Sequence, residues 1–509
     1  MVQLRKWRPL LKLDGAQPQA SYRKIIEGLV SAIVEGRLRP GTLLPGTREM
    51  AQLLDVNRKT VILAYEEAVT KGWLVSIQRR GTFVSTQLAP ATLAAPSAPT
   101  SFAPTLREAP AVAYFTPGKQ VTALQHRPGA LFFDNGACDH RLLPQAVLHR
   151  YYRNALRNSF TTNTVRHGSE GSGHYLRNAL AEMLRHNRGL TVDAQHICLT
   201  QGVQMSLYLT ASVLLKPGDV VVVERLSYPP AWEIFRQLGA QLVTVDLDEE
   251  GCRVDQLDEL CRLHNVRMMY VTPHHQFPTT VSLRAGRRQQ LLELARLHDF
   301  CIIEEDYDHE YHFAGRPYLP LASDSAQRHV IYIGSLSKSL GSTFRCSYIV
   351  APSNLIEVLE RTAAVSLGQG DAVMQRMLAD LINDGELKKH LRRVSKEYRR
   401  RRETLLSCLL EAFGEQISVQ EPEGGLALWV KFADSIDVNQ LAEKALELDL
   451  VVRSGRLFSP FDHPENALRL GFASLNQEEI RTATQRLAQA ARAIKDVQRK
   501  TSKFSYFDE

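Results

Sequence analysis

From Leu131 onward the chain alternates short runs of β-branched apolar residues with stretches whose apolar positions recur every three or four residues. DVVVVE near 219, AQLVTVDL near 240, VRMMYVTP near 266, FCIIEEDYD near 300 and VIYIGSLSK near 330 read as strands, with helices such as Pro230–Leu238 and Arg284–His298 between them. This alternation predicts a mainly parallel, doubly wound sheet, whose ligands lie at the carboxyl ends of the strands. The polar segments Thr272-Pro273-His274-His275-Gln276, Glu305-Asp306-Tyr307 and Ser335-Leu336-Ser337-Lys338 each follow a strand, so one site should collect all three.

The first 86 residues carry a different pattern. Tyr22–Val34 has Ile25, Ile26, Leu29, Val30 and Ile33 at amphipathic-helix spacing, and Gly36 ends it. A short helix over Arg48–Leu54, a turn at Asp55-Val56, Asn57 as N-cap and a second helix over Arg58–Thr70 give helix-turn-helix spacing. Val61, Ala64, Tyr65 and Ala68 form its inward face, while Arg58, Lys59 and Thr60 occupy the first turn. Trp73–Ile77 and Thr82–Ser85 read as strands around the basic tip Gln78-Arg79-Arg80-Gly81, completing a winged helix-turn-helix. Residues 87–128 are rich in Ala, Pro, Thr and Ser without periodicity, which marks an extended linker.

Charge sharpens this division. Residues 1–86 hold 14 Lys and Arg against 7 Asp and Glu, a net of +7, which equals that of the whole 509-residue chain, so everything after them sums to zero. A basic head on a neutral body points to a polyanion as the head's partner. The seven cysteines are scattered without C-x-x-C pairing, so neither a disulfide framework nor a metal site is expected. No run approaches the roughly 18 apolar residues of a membrane helix, and a soluble, unexported, cytoplasmic protein with no membrane partner is expected.

Lys338 is the central chemical residue. A primary amine held at the lip of a sheet has its pKa lowered by partial burial and suits Schiff-base chemistry with an aldehyde cofactor, with Ser335 and Arg345 placed to bind a phosphate. The strand, the S-L-S-K turn and the following arginine resemble the cofactor-lysine segment of fold-type-I pyridoxal-phosphate (PLP) enzymes. Such a site needs an acid at the pyridine nitrogen, a hydroxyl at the phenolic oxygen, a stacking ring and phosphate donors. The candidates are a carboxylate from Glu305 or Asp306, Tyr307, Tyr228, and Gly202, Val203 and Gln204 at a helix start together with Ser335 and Arg345. Ser337 and His275 join them as cofactor-binding candidates.

Two longer resemblances complete the picture. Leu38-Arg39-Pro40-Gly41, Leu44-Pro45-Gly46-Thr47-Arg48, Val56-Asn57-Arg58-Lys59-Thr60-Val61 and Gly81-Thr82-Phe83-Val84 resemble the GntR family of bacterial regulators. This resemblance implies that Arg48, Asn57, Arg58, Lys59, Thr60, Arg79, Arg80 and Gly81 approach operator DNA, with Arg58 as base reader. Residues 131–480 resemble the aminotransferase-like domain of the MocR subfamily through FDNGACDHRLLP, TQGVQMSL, TPHHQFPTT, IIEEDYDHEY, IGSLSKSL and LRLGFA.

The fold class implied is multidomain: a winged helix-turn-helix domain at 1–86, the linker at 87–128, an α/β fold-type-I large domain at 129–375, and a small C-terminal α+β domain at 376–500. The small domain would contain a basic helix over Leu387–Leu410, a strand over Gly425–Val430 and the strand of ALRLGFA, with Thr501–Glu509 as a frayed tail. The implied function is a homodimeric, PLP-dependent DNA-binding regulator that holds PLP as an internal aldimine on Lys338 and senses an amino compound or PLP itself. Arg469 would clamp the carboxylate of the effector. A working aminotransferase with an appended DNA-binding domain is the alternative. Departures from the family pattern favour the sensor: Glu304-Glu305-Asp306-Tyr307-Asp308 stands where E-D-D-Y-D is usual, His167–Gly173 lacks an expected tyrosine, and Arg345 lacks the glycine expected two residues later. Weak or absent turnover is therefore expected.

Overall fold

The computed structural model describes residues 7, 22–87, 129–161, 170–313, 318–324, 328–341, 343–368, 370–461 and 465–504. The linker from residue 88 onward and residues 167–169 of the His167–Gly173 segment lie outside the described residues. The chain divides into two compact units, one ending at Tyr114 and the other beginning at Phe115.

In the first unit, helices α1 (Tyr22–Val34), α2 (Thr47–Leu54) and α3 (Arg58–Thr70) precede the antiparallel pair β1 (Leu74–Ile77) and β2 (Gly81–Val84). Apolar spacing dictates the packing. Ile25, Ile26, Leu29 and Ile33 of α1 meet Met50 and Leu54 of α2 and Val61, Ala64, Tyr65 and Ala68 of α3 in one core. Asp55 takes the left-handed conformation at the end of α2, and the Asn57 side chain caps α3 by accepting from the Lys59 amide at 2.9 Å.

The second unit is built on a seven-stranded sheet. Its strands in chain order are β3 (Ile197–Thr200), β4 (Val220–Glu224), β5 (Gln241–Val245), β6 (Val266–Val271), β7 (Cys301–Asp306), β8 (Val330–Ser335) and β9 (Ser347–Val350). They lie side by side in the order β3-β9-β8-β7-β6-β4-β5. Strand β9 runs antiparallel to β8 and β3, and the remaining pairs are parallel. The apolar runs are continuous because both faces are covered. Val221, Val223, Met268, Tyr270 and Ile303 pack on one side, while Val220, Val222, Met269, Val271 and Ile302 pack on the other.

A second, four-stranded antiparallel sheet (Ile417–Val419, Ala427–Phe432, Ala467–Gly471, Arg453–Ser454) is covered by the helices Glu386–Phe413 and Gln477–Phe504. The strand expected over Gly425–Val430 begins two residues later, because Gly425 sits at φ 81° in a turn whose amide donates to the Tyr311 carbonyl at 2.7 Å.

The expected partition at 375/376 is displaced at both ends. Helix Ala372–Asn383 contributes Met377, Leu378 and Leu381 to the core formed with Gln145–Thr161 and Glu170–Arg188, so the larger layer runs on to Asn383. Conversely, Leu131–Phe132 pairs with Leu450–Val451, and Phe133 packs in the C-terminal core.

Gly334 marks a close approach within the main sheet. A Cβ there would overlap the ring of Tyr348, whose hydroxyl accepts from the buried Arg188 guanidinium at 2.8 Å. We therefore expect Gly334→Ala to destabilise this unit by about 1–3 kcal/mol, read as a lowered thermal midpoint; an unchanged midpoint would show that the Tyr348 ring yields freely.

Candidate functional site

On the first unit, the starts of α2 and α3 and the tip of the β1–β2 turn present a basic surface. Arg48, Arg58 and Lys59 are exposed, Thr60 is half-buried, and Arg79, Arg80 and Gly81 are exposed at the turn. Asn57 caps α3 as its position predicts, its side-chain oxygen accepting from the Lys59 amide at 2.9 Å. Arg58 Nε donates to Thr47 Oγ1 at 3.4 Å, which links the two helix starts. Gly81 is required by φ 111° and by Leu43, whose Cδ1 would stand 2.8 Å from a Cβ.

On the second unit, the carboxyl ends of β3, β4, β6, β7 and β8 meet at a cavity of about 310 Å³. One end of it suits an anion. Gly202, at φ 100°, turns the chain into helix Val203–Leu214, whose first amides have no intrahelical partner, and Ser335 and Arg345 face the same space. A Cβ on Gly202 would press to 3.4 Å from the Arg345 guanidinium, so glycine keeps this cradle open. Ser335 Oγ accepts from the Ser337 amide at 3.1 Å, and Ser337 Oγ donates to the Phe344 carbonyl at 3.1 Å, which fixes the turn before Lys338.

The opposite end suits a cation. Glu305 accepts from the Tyr270 hydroxyl at 2.5 Å, and burial pushes its carboxyl up to about 7, with Tyr270 and Lys338 pulling the other way. Between the two ends, Lys338 Nζ donates to the carbonyls of Gly136 at 2.6 Å and Asn135 at 3.2 Å. Burial lowers its pKa, opposed by Asp134 and reinforced by Arg469. Tyr228 lines the wall beside Phe277, 5.3 Å between ring centroids, and Tyr307 lies 6.0 Å beyond Phe277.

The pleat of β7 separates its acids. Glu305 shares a face with Ile303 and points into the cavity, whereas Asp306 points to the opposite face, where it accepts from the Tyr332 hydroxyl at 2.8 Å. Burial raises the Asp306 carboxyl, yet His309 and Arg188 together hold it well below the usual carboxylate range. Of the two acids left open by the sequence, Glu305 is the one at the cavity.

His275 also departs from expectation. It does not line the cavity; its Nδ1 pairs with Asp308 Oδ1 at 2.7 Å, and only its carbonyl reaches toward the site, accepting from the Tyr307 hydroxyl at 2.9 Å. Arg469 lies behind the Phe277–Tyr307 wall: its Nη1 donates to Pro278 O at 2.6 Å, its guanidinium sits 4.5 Å from the Phe277 ring centroid, and its buried Nε has no hydrogen-bond partner among the described residues.

Asn135, Tyr270 and Phe277 line the cavity without having been singled out from the sequence. Asn135 lies in FDNGACD, before the first strand of the sheet, and Tyr270 is hidden in an apolar strand; neither carries a local signal. The donor set as a whole fits pyridoxal phosphate: an anion cradle, a carboxyl with a buried hydrogen-bond donor, a tyrosine ring, and an amine between them.

The comparisons agree with this geometry. Residues 143–487 match the family model of class I and II aminotransferases, and residues 21–84 match that of the gntR family of bacterial regulatory proteins. The probable rhizopine catabolism regulatory protein MocR of Rhizobium meliloti is 28% identical, over 95% of this chain and 96% of its own length. The transcriptional regulator TauR of Rhodobacter capsulatus is 30% identical, over 94% of this chain and 98% of its own. Among solved structures, the Pyrococcus horikoshii kynurenine aminotransferase, in complex with PMP, is 28% identical with a TM-score of 0.66, covering 72% of this chain and 91% of that one. The Thermus thermophilus α-aminoadipate aminotransferase LysN, complexed with a phosphopyridoxyl-leucine, is 26% identical with a TM-score of 0.67, covering 73% and 94%. A winged helix-turn-helix head followed by a class I and II aminotransferase fold, matched along almost its full length by MocR and TauR, places this chain in the MocR branch of the GntR regulators.

Proposed function

We propose that this chain is a DNA-binding transcription regulator that uses PLP, held at Lys338, to read an amino compound or PLP itself. The observation that carries this reading is the presence in one chain of an exposed basic helix-turn-helix surface and a cavity with an anion cradle, a buried carboxyl and a part-buried lysine. The full-length regulator relatives support it over the aminotransferase alternative. The same likeness supports a cytoplasmic, DNA-associated homodimer; no described helix is long and apolar enough to cross a membrane.

When bound, PLP supplies an aldehyde that condenses with amines and a pyridine ring that withdraws electrons. The chain's residues do the rest. The Gly202–Gln204 amides, Ser335 and Arg345 would hold the phosphate, Glu305 would face the ring nitrogen and Tyr228 the ring. A cationic ring nitrogen opposite Glu305 would return its carboxyl toward the ordinary range, because an opposite charge offsets the burial that raised it. Burial lowers the pKa of Lys338, which moves its amine in the direction of the unprotonated form that a nucleophile must have. Arg469 would meet a carboxylate, for which its Nε, without a partner among the described residues, offers a hydrogen bond.

The decisive experiment titrates purified protein with PLP and then with amino acids, following visible absorbance and operator-region DNA binding together. The expected result is a visible band absent from Lys338→Ala and DNA binding that changes with PLP or one amine. Arg469→Ala should keep the band and lose the response to amino acids. Sustained turnover with a keto acid, with DNA binding indifferent to both ligands, would instead make the protein an enzyme.

Two further outcomes follow from the same reading. Arg58→Ala should weaken operator binding by about 1–3 kcal/mol and relax sequence preference, whereas Arg80→Ala should reduce the salt slope by about one; equal loss on all sequences for Arg58→Ala would remove it as a base reader. In cofactor-free protein, folded Glu305 keeps its proton up to about 7 while the unfolded chain releases it near 4.5. Its contribution to stability is thus fully present below 4.5 and is lost as pH rises to about 7. Glu305→Gln should flatten that part of the melting-temperature profile, and an unchanged slope would show that Glu305 titrates normally.

A further inference from the structure

Behind the cofactor cavity, two strand ends crowd four imidazoles together. His274 and His275 follow β6, and His309 and His312 follow β7. The ring centroid of His274 lies 4.3 Å from that of His275, 4.6 Å from His309 and 5.9 Å from His312. One ring nitrogen from each of His274, His275 and His312 lies within 4.8 Å of the other two. Tetrahedral zinc ligands at about 2.1 Å from the ion stand roughly 3.4 Å apart, so closing on an ion takes side-chain rotations on the order of an ångström.

The surroundings prepare two of these rings as ligands. His274 is buried, with its ring packed against those of His275, His309 and His312. His275 pairs its Nδ1 with Asp308 at 2.7 Å, a carboxylate–histidine contact of the kind that fixes the tautomer of a metal ligand and leaves Nε2 as the donor. The Nε2 atoms of His274 and His275 are both buried without a hydrogen-bond partner among the described residues, a cost that a bound ion removes. His312 is half-buried and borders a large cavity of about 1290 Å³, also lined by His309 and Glu310, which provides an entry path and room for a water as fourth ligand.

We propose that His274, His275 and His312 form a binding site for one borderline divalent metal ion of the zinc class, separate from the cofactor cavity. Three imidazoles with an open fourth position suit Zn²⁺, and its neighbours Co²⁺, Ni²⁺ and Cu²⁺, rather than Mg²⁺ or Ca²⁺. An ion there ties the end of β6 to the end of β7. Tyr307 lies between those ends, with its hydroxyl on the His275 carbonyl.

The test uses full-length, cofactor-free, chelator-stripped protein. Titration with Co²⁺ should produce the intense visible bands of a tetrahedral site at one ion per chain, and Zn²⁺ should displace it, with the heat measured by calorimetry. His274→Asn and His312→Gln should each weaken Co²⁺ binding at least about tenfold, while His186→Gln, in the same large cavity but outside the cluster, should not. Circular dichroism and thermal unfolding establish that each variant is folded. Failure of the unmodified protein to give the bands would overturn the site, whatever the variants do. Bands that persist in folded His274→Asn and His312→Gln would place the ion elsewhere and overturn it as well.

Discussion

Three consecutive carboxyls, Glu304, Glu305 and Asp306, are buried at the end of β7, and burying charge is expensive unless each group finds its own partner. The strand pleat sends them in alternate directions, so three partners come from three parts of the chain. Glu304 accepts from the Leu321 and Ala322 amides at 2.7 and 2.9 Å, Glu305 from Tyr270, and Asp306 from Tyr332, with the buried Arg188 4.0 Å away. Arg188 in turn reaches Tyr348 on β9 and Glu310 beyond β7. These contacts hold the return loop, the helix ending at Arg188 and the antiparallel strand β9 in register around one strand end. The cavity has its shape because that strand end has no freedom left.

Burial disfavours charge at both reactive groups of the cavity. Its buried acid is pushed up to about 7 and its lysine pKa is lowered, while Arg345 remains an exposed cation at the mouth. Such a site suits a ligand with an anion at one end and a cation at the other.

Much of this was legible in the sequence for a physical reason: buried β-branched runs and helical periodicity are local signals. The inward face of α3 and the order of strands that brings Gly202, Tyr228, Ser335 and Lys338 to one edge follow from such signals. What failed to show depends on pairing across distance. Neither the choice of Glu305 over Asp306 nor the turning of His275 away from the cavity can be read without the register of β7 and β6. Helix Ala372–Asn383 has an apolar face that fits either layer by composition, and only packing against Gln145–Thr161 and Glu170–Arg188 assigns it. The histidine cluster escaped notice because its members sit in two segments more than thirty residues apart in sequence, with no metal-ligand spacing.

Lys338 has one more role, which follows from what its amine touches. The carbonyls of Asn135 and Gly136 that it engages belong to a stretch pinned from the other side by the C-terminal sheet, where the Gly471 amide donates to the Asp134 carbonyl at 3.0 Å. That stretch is moored twice, once by a backbone hydrogen bond and once by the Lys338 amine. A covalent bond at Nζ would use protons that the amine now donates, so the second mooring would weaken. A group held covalently at Lys338 would therefore be felt, through two backbone oxygens, by the segment joining the two layers.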